Sequence, residues 1–165
     1  MPDNKETTAF VNCATVCCVM IMARSRTRVR ATDPSSYKLL LIRRADPTQS
    51  AYDELALPGG FQKGAIAESV RLTAVREVRE ELGLDIDIGK LQLVNVETDD
   101  YHHNVIFFRY EYDGDEASLR DACTLNQNEV TEIVFVDRPV KTGYASHTAE
   151  IEHLFENLPL PSQPL

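Results

Sequence analysis

Apolar residues in this chain gather in short runs that polar, turn-forming stretches separate. Runs of this length, bounded by turn residues, indicate β-strands. Strands are therefore predicted at residues 11–22, 37–44, 91–98, 104–113 and 129–137, with a short one at 55–61 that ends in glycines. The polar stretch at residues 114–128 is predicted to be a long loop.

Two other stretches carry apolar residues at the spacing of an amphipathic helix. The first helix is predicted at about residues 66–82, and Gly83 is the expected left-handed residue after its last turn. The second is predicted at residues 146–158, where one face carries Ile151, Leu154, Phe155 and Leu158. This order of elements predicts a mixed α/β domain with a sheet between helices.

The length of 165 residues fits one domain, with frayed ends expected at about residues 1–8 and 159–165. The N-terminus is polar, and no apolar run approaches the roughly 20 residues of a membrane span. A cytoplasmic protein that does not bind membranes is therefore expected. The formal net charge of −9 also argues against a nucleic-acid partner, and an anionic ligand would need a local cation.

The four cysteines do not have the spacing of a zinc or redox motif. Three of them, Cys13, Cys17 and Cys18, lie in one apolar run, and the fourth is Cys123. Free cysteine is among the most buried residue types, so reduced core cysteines are predicted.

Acidic residues crowd the end of the first predicted helix. At 100° per residue, Glu77, Glu80 and Glu81 fall on one side, opposite an apolar face of Leu72, Val75, Val78 and Leu82. Like-charge repulsion and the helix dipole together oppose this arrangement by on the order of 1–3 kcal/mol. A bound Mg²⁺ or Mn²⁺ would remove the conflict, since hard oxygen ligands suit these ions. A plain solvated acidic face is the alternative.

Two glycines, Gly59 and Gly60, precede this helix in the stretch Leu-Pro-Gly-Gly. Glycine lets the backbone turn sharply and approach a ligand closely. A free carbonyl at this turn is therefore a candidate for a further metal ligand.

Together these residues resemble the Nudix box, which is a Gly, five residues, a Glu, seven residues, and then Arg-Glu-aliphatic-x-Glu-Glu-x-Gly-aliphatic. Nine specified positions match, namely Gly60, Glu68, Arg76, Glu77, Val78, Glu80, Glu81, Gly83 and Leu84. Two departures stand out. Seven residues separate Gly60 from Glu68, which is two more than the pattern has, and Ala56 stands where a Trp is usual.

The resemblance implies an α/β/α sandwich that hydrolyses a nucleoside diphosphate linked to another group, in the manner of MutT-like pyrophosphatases. It also implies that Glu77, Glu80, Glu81 and the Gly60 carbonyl hold Mg²⁺ or Mn²⁺. Glu80 is then also a catalytic candidate, together with Glu68 and with Arg76, which would orient the carboxylates. A further Glu often comes from a downstream loop in this family, and Glu129 is preferred over Glu132 for that role.

The substrate is less defined. Nucleobases stack on aromatic side chains, and the candidates are Tyr52, Phe61, Tyr101 and Phe107, with a core position as the alternative for each. Phe61, Tyr101 and Arg44 are taken as the substrate-binding residues. Tyr101 lies 17 residues after Leu84, an offset that resembles the diadenosine polyphosphate hydrolases, whereas a Pro there would resemble ADP-ribose enzymes. His102 and His103 are interpreted as hairpin-surface residues, with contact to phosphate or an acid and base role as the alternative.

ADP-ribose, nucleotide sugars, diadenosine polyphosphates and nucleoside triphosphates all remain open as substrates. A nucleotide-sensing module without turnover is the alternative function, and a structural protein with an acidic helix is a third hypothesis. A homodimer is possible because many relatives pair.

Overall fold

The computed structural model describes residues 14–25, 36–63 and 68–158. The predicted frayed ends at residues 1–8 and 159–165 lie outside these ranges, as do Cys13 and the predicted first two residues of the internal helix. No helix in the described ranges is long and apolar enough to cross a membrane.

Seven strands and three α-helices follow one another in these ranges. The strands are β1 (Thr15–Arg24), β2 (Tyr37–Arg44), β3 (Leu55–Ala56), β4 (Gly59–Phe61), β5 (Gln92–Thr98), β6 (Asn104–Asp115) and β7 (Val130–Val136). The helices are α1 (Val70–Leu82), α2 (Glu116–Ala122) and α3 (Ala145–Glu156), and a short 3-10 turn lies at Ile88–Lys90. The predicted strand at residues 37–44 coincides with β2.

The strands form a single mixed sheet. Its path is β3-β2-β1-β6-β5, with β4 also paired to β1 and β7 also paired to β2. β1 and β6 run parallel, whereas the other pairs are antiparallel. Because β1 pairs with β2, β4 and β6, it lies at the centre of the sheet.

Helices cover both faces of this sheet. Along β1, Cys17 and Val19 pack in one core cluster with α1 and α2, whereas Cys18 and Met20 pack in a second cluster with α3. This alternation is the two-residue period of a strand that is buried on both sides. The architecture is therefore helix, sheet and helix, and the predicted α/β/α sandwich is confirmed.

α1 begins at Val70, four residues later than predicted. The Ser69 hydroxyl caps its start by accepting a hydrogen bond from the Leu72 N–H, and Gly83 ends it at a φ of 62°, as predicted. The predicted apolar face is wrong in part, since the Leu72 side chain is 51% exposed. Val78 and Leu82 are buried as predicted.

The prediction of a polar loop throughout residues 114–128 is wrong, because this stretch contains α2. The Asp115 carboxylate caps the helix by accepting from the Ser118 N–H at 2.8 Å. Leu119 anchors it in the core, fully buried. A helix of two turns with one buried apolar residue leaves almost no periodic signal in the sequence.

Cys17 and Cys18 are free and buried, which confirms the prediction of reduced core cysteines for this pair. Cys123 is also free and is half-buried at the end of α2.

Candidate active site

Two glycines of β4 form one side of the site. They pair with β1, Gly59 opposite Cys18 and Gly60 opposite Cys17. Gly59 has a φ of 152°, and a Cβ there would lie 2.2 Å from the Cys17 carbonyl oxygen. Only glycine fits such a position. The Gly59 N–H donates to the Glu81 carboxylate at 2.9 Å, so this turn is tied directly to the end of α1.

Glu81 is buried, with an exposed fraction of 4%. The alternative of a plain solvated acidic face is therefore wrong for Glu81, because the packing of α1 on the sheet buries this side chain. Burial raises the pKa of Glu81 to about 8, and the charge of Glu77 adds to the rise. The Gly59 hydrogen bond and the charge of Arg44 act in the opposite direction.

Arg76 organises the acidic residues around it. Its Nε donates to Glu68 at 2.9 Å, one Nη donates to Glu77 and to Glu80, and the other donates to the Phe61 carbonyl at 2.9 Å. The Glu68 carboxylate, which the Thr73 hydroxyl also contacts, holds the pKa of Arg76 above its usual range. Arg76 therefore links the strand end, the N-terminus of α1 and its acidic C-terminal half.

Glu68 acts on Arg76 and does not line the cavity described below. The Arg76 guanidinium is the main reason that the pKa of Glu68 falls to about 2, with a further hydrogen bond from Thr73. Its carboxylate contacts Arg76, the Thr73 hydroxyl and the Lys63 N–H, so it touches Glu77 and Glu80 through Arg76.

Glu77 and Glu80 differ in their surroundings. Burial raises the pKa of Glu77, although hydrogen bonding to Arg76 opposes the shift. For Glu80 burial works in the same direction, but hydrogen bonds from Lys63 and Arg76 prevail and its pKa is lowered. A Cβ on Gly60 would lie 2.6 Å from the Glu77 carboxylate, so glycine leaves the room that this side chain needs.

A cavity of about 620 Å³ opens over these carboxylates. Glu77, Glu80 and Glu81 line it together with both glycines of β4. Val16, Cys18, Leu57 and Val105 are among its apolar lining residues. Its size suits a ligand as large as a nucleotide, since small-molecule sites commonly measure roughly 300–1,000 Å³.

Glu129 also lines the cavity, whereas Glu132 does not. Asn126 donates to the Glu129 carboxylate at 3.1 Å, and the charge of Glu129 contributes to the raised pKa values of Glu77 and Glu81. Glu132 instead pairs with Arg43 at 2.7 Å on the surface. Of the two sequence candidates, only Glu129 is therefore close to the acidic group.

The cavity has an aromatic part formed by Phe61, Tyr101 and His103. The His103 ring stacks on Tyr101 at 6.0 Å and meets the edge of Phe61 at 5.2 Å. Asp99 fixes it by a contact of 3.0 Å to Nδ1. His103 lies in the β5–β6 hairpin, as predicted, but the tight turn at residues 99–103 places it on the cavity lining, which favours the alternative of a contact with ligand. The four-residue spacing from Asp99 to His103 is the one feature of the sequence that could have indicated the contact between them.

Another part of the cavity is built around Arg44. Its guanidinium lies over the Tyr144 ring at 5.7 Å, and one Nη donates to Gln49. Tyr144 and His147, at the start of α3, line the same region. Burial lowers the pKa of His147 to about 4, and its Nδ1 accepts from the Leu57 N–H. Nothing in the local sequence around Tyr144 and His147 indicated this placement.

The candidate residues therefore divide into two groups. Nine of those that the sequence suggested line one cavity, namely Arg44, Gly60, Phe61, Arg76, Glu77, Glu80, Glu81, Tyr101 and Glu129. Glu68 and Glu132 do not line it: Glu68 touches the group through Arg76, and Glu132 pairs with Arg43.

The side chains have the chemistry, though not the arrangement, of a metal site. In the parts of the chain that are described, no three His, Cys, Asp or Glu side chains are grouped closely enough to hold a metal ion. Arg76 and Lys63 occupy carboxylate oxygens of Glu77 and Glu80. The donors are hard oxygens around the buried Glu81, with space kept by Gly60, and this set fits Mg²⁺ or Mn²⁺ in donor type.

The α/β/α sandwich, with the acidic end of α1 beside a glycine turn, agrees with the family resemblance seen in the sequence. A family model described as the NUDIX domain matches residues 22–154. The chain therefore belongs to the Nudix family, and the resemblance seen in the sequence is confirmed.

Solved structures agree with this fold. The NUDIX domain of Shewanella oneidensis NrtR, complexed with ADP ribose, is 16% identical with a TM-score of 0.67, over 94% of this chain and 95% of that one. A bifunctional NMN adenylyltransferase/ADP ribose pyrophosphatase from Francisella tularensis, complexed with AMP and a Mn ion, is 14% identical with a TM-score of 0.60, over 91% of this chain and 43% of that one.

A third similar structure is a MutT/nudix family protein from Enterococcus faecalis. It is 18% identical with a TM-score of 0.55, and the match covers 79% of this chain but only 46% of the length of that protein. A search of curated proteins gave no match. At these identities the structural similarity establishes the fold alone.

Proposed function

We propose that this protein hydrolyses a pyrophosphate bond in a nucleoside diphosphate that is linked to another group. The observation that carries this proposal is the placement of four carboxylates, those of Glu77, Glu80, Glu81 and Glu129, on one nucleotide-sized cavity. Burial and mutual repulsion raise the pKa of Glu77 and of Glu81. A group of this kind is expected where a cation is to be bound.

Mg²⁺ or Mn²⁺ is the proposed cofactor, held by Glu77, Glu80, Glu81 and the Gly60 carbonyl. When bound, such an ion neutralises charge on phosphate oxygens and lowers the pKa of a coordinated water. The Mn ion in the Francisella tularensis structure supports this choice. Arg76, fixed by Glu68, would keep Glu77 and Glu80 in place while the substrate binds.

The general base is proposed to be Glu129 or Glu80. Both side chains face the cavity, and Glu129 comes from the loop before β7, so it can approach a phosphate from a different side than α1 does. A carboxylate within hydrogen-bond reach of a water can accept its proton.

The nucleobase is proposed to stack on the aromatic part of the cavity. Phe61 and Tyr101 are large aromatic residues with exposed fractions of 54% and 69%, and both line the cavity, so their rings are accessible to a nucleobase. The rest of the substrate would then extend past the carboxylates towards Arg44. Two similar structures contain ADP ribose or AMP, which supports an adenine nucleotide as the first substrate to test.

The test is a panel of ADP-ribose, nucleotide sugars, diadenosine polyphosphates and nucleoside triphosphates, assayed with Mg²⁺ or Mn²⁺ for release of phosphorylated products. We expect turnover of at least one compound, loss of turnover in EDTA, and a fall by orders of magnitude in Glu80→Gln at an unchanged melting temperature. Binding of a nucleotide without turnover of any compound would instead favour the sensing module.

A further inference from the structure

Lys63 lies at the edge of the acidic group, at an unspecified position of the Nudix box between Gly60 and Glu68. Its ammonium donates to Glu80 Oε1 at 3.1 Å, while the second oxygen of Glu80 accepts from Arg76 at 2.9 Å. Both oxygens of a proposed metal ligand are therefore held by side-chain cations. Lys63 lines the same cavity as Glu80.

The two cations differ in how firmly they are held. Arg76 is 17% exposed and also binds Glu68, Glu77 and the Phe61 carbonyl. The Lys63 side chain is 54% exposed, and within the described ranges Glu80 is the one side-chain partner of its ammonium. An exposed lysine ion pair is weak and easily exchanged, whereas a guanidinium with several fixed partners is not.

The cavity also offers the Lys63 ammonium a second possible partner, which is a phosphate group of the substrate. Arg44, Lys63 and Arg76 are the basic residues of the described lining, against the acidic residues Glu77, Glu80, Glu81, Asp99 and Glu129. Because Arg76 is already paired with carboxylates, few side-chain cations of the described lining are available to bind an anionic substrate. A lysine ammonium is a compact point charge that binds phosphate oxygens well.

We propose that Lys63 is an exchangeable counter-ion: it neutralises Glu80 in the metal-free protein, and a divalent cation displaces it towards a phosphate oxygen of the substrate. The inference rests on the proposed function, since it needs Glu80 as a metal ligand. It predicts opposite effects of one substitution on two affinities. Without Lys63, the metal no longer competes with an ammonium, but the phosphate loses a cation.

The test compares Lys63→Gln, Lys63→Arg and the parent protein. Lys90→Gln is the matched control, since Lys90 also forms an exposed ion pair, with Asp113, outside the cavity. Mn²⁺ binding is measured without nucleotide by the electron paramagnetic resonance signal of free Mn²⁺. Binding of ADP is then measured by calorimetry at saturating Mn²⁺. Neither readout depends on turnover.

We expect Lys63→Gln to bind Mn²⁺ about threefold or more tightly than the parent, and ADP about threefold or more weakly, from the loss of one nearby positive charge. Lys63→Arg keeps the charge and should stay close to the parent in both, as should Lys90→Gln. Mn²⁺ affinity in Lys63→Gln that is equal to or weaker than that of the parent would overturn the counter-ion role. Unchanged ADP affinity would overturn the phosphate contact.

Glu80→Gln separates this inference from the function on which it rests. If Glu80→Gln weakens Mn²⁺ binding while Lys63→Gln does not strengthen it, only the role of Lys63 is refuted. If Mn²⁺ binding is unaltered in Glu80→Gln and also in Glu81→Gln, the metal site itself is refuted, and the role of Lys63 with it.

Discussion

Replacing Glu81 by Gln should change how the stability of the metal-free protein depends on pH. The folded pKa of Glu81 is about 8, against an ordinary value of 4.5. As the pH rises through this interval, the unfolded chain releases the proton first. The stability that Glu81 contributes in its protonated form is therefore lost progressively until the pH passes the folded pKa.

His147 defines the pH range in which this effect can be isolated. Its pKa falls from 6.5 to about 4 in the folded protein, so its contribution to stability is complete above pH 6.5 and is lost as the pH falls towards 4. Below pH 6.5 the trends of Glu81 and His147 thus oppose one another. Above pH 6.5 the raised pKa values of Glu81 and Glu77 set the trend. The buried thiols, whose pKa values are raised from 9.0, contribute only as the pH approaches 9 and the unfolded chain begins to ionise.

Between pH 6.5 and 8 the parent protein should lose about 1.5 kcal/mol of unfolding free energy through Glu81, at 1.36 kcal/mol per pKa unit. Glu77, whose pKa is also raised, acts in the same direction. Glu81→Gln cannot ionise, and its amide oxygen can still accept from the Gly59 N–H. The variant should therefore lose about 1.5 kcal/mol less than the parent over this range.

Urea denaturation in EDTA at pH 6.5 and 8, followed by circular dichroism, measures this difference. Glu152→Gln is the control, because Glu152 is an exposed residue of α3 and its replacement should leave the slope unchanged. If Glu81→Gln and the parent lose the same free energy between the two pH values, Glu81 does not titrate as a buried group, and the burial argument for the site is wrong.

Three further predictions follow from the site. Gly59→Ala should destabilise the fold by about 3 kcal/mol or more, since its Cβ would clash with the Cys17 backbone. Gly60→Ala should instead mainly move the Glu77 carboxylate and weaken Mn²⁺ binding. Thermal unfolding and Mn²⁺ titration of both variants test this contrast. Glu129→Gln should reduce kcat about tenfold or more and Glu132→Gln less than twofold, and equal effects on kcat would contradict the choice of Glu129. Glu68→Gln should lower the free energy of unfolding by about 1–3 kcal/mol at pH 7, because it weakens the contact to Arg76. The difference from the parent should shrink as the pH falls from about 4.5 towards 2, where Glu68 becomes protonated. Urea denaturation across that pH range measures it.

Local sequence patterns predicted those elements whose formation depends on near neighbours. β2 was predicted with its observed bounds because its apolar run is continuous and bounded by turn residues. The end of α1 was predicted from Gly83, since a left-handed residue after a helix is a local requirement. The order of elements and the Nudix box then sufficed for the sandwich fold and for the carboxylates of α1 that line the cavity.

Packing decided the rest. The rotation of α1 against β1 and β4 buries Glu81 and exposes Leu72, whereas a helical wheel drawn in isolation assigned them the other way. α2 is held by the burial of Leu119, which is a contact with the core that no local pattern shows.

The sequence by itself thus determined the fold class, the family and the acidic group on α1, because these depend on periodicity and on residues close together in the chain. Tertiary structure alone placed His103, Tyr144 and His147 on the same cavity. It also buried Glu81, which raises the pKa of this side chain. These properties arise from contacts between residues far apart in sequence, and desolvation exists only once the sheet and helices have packed.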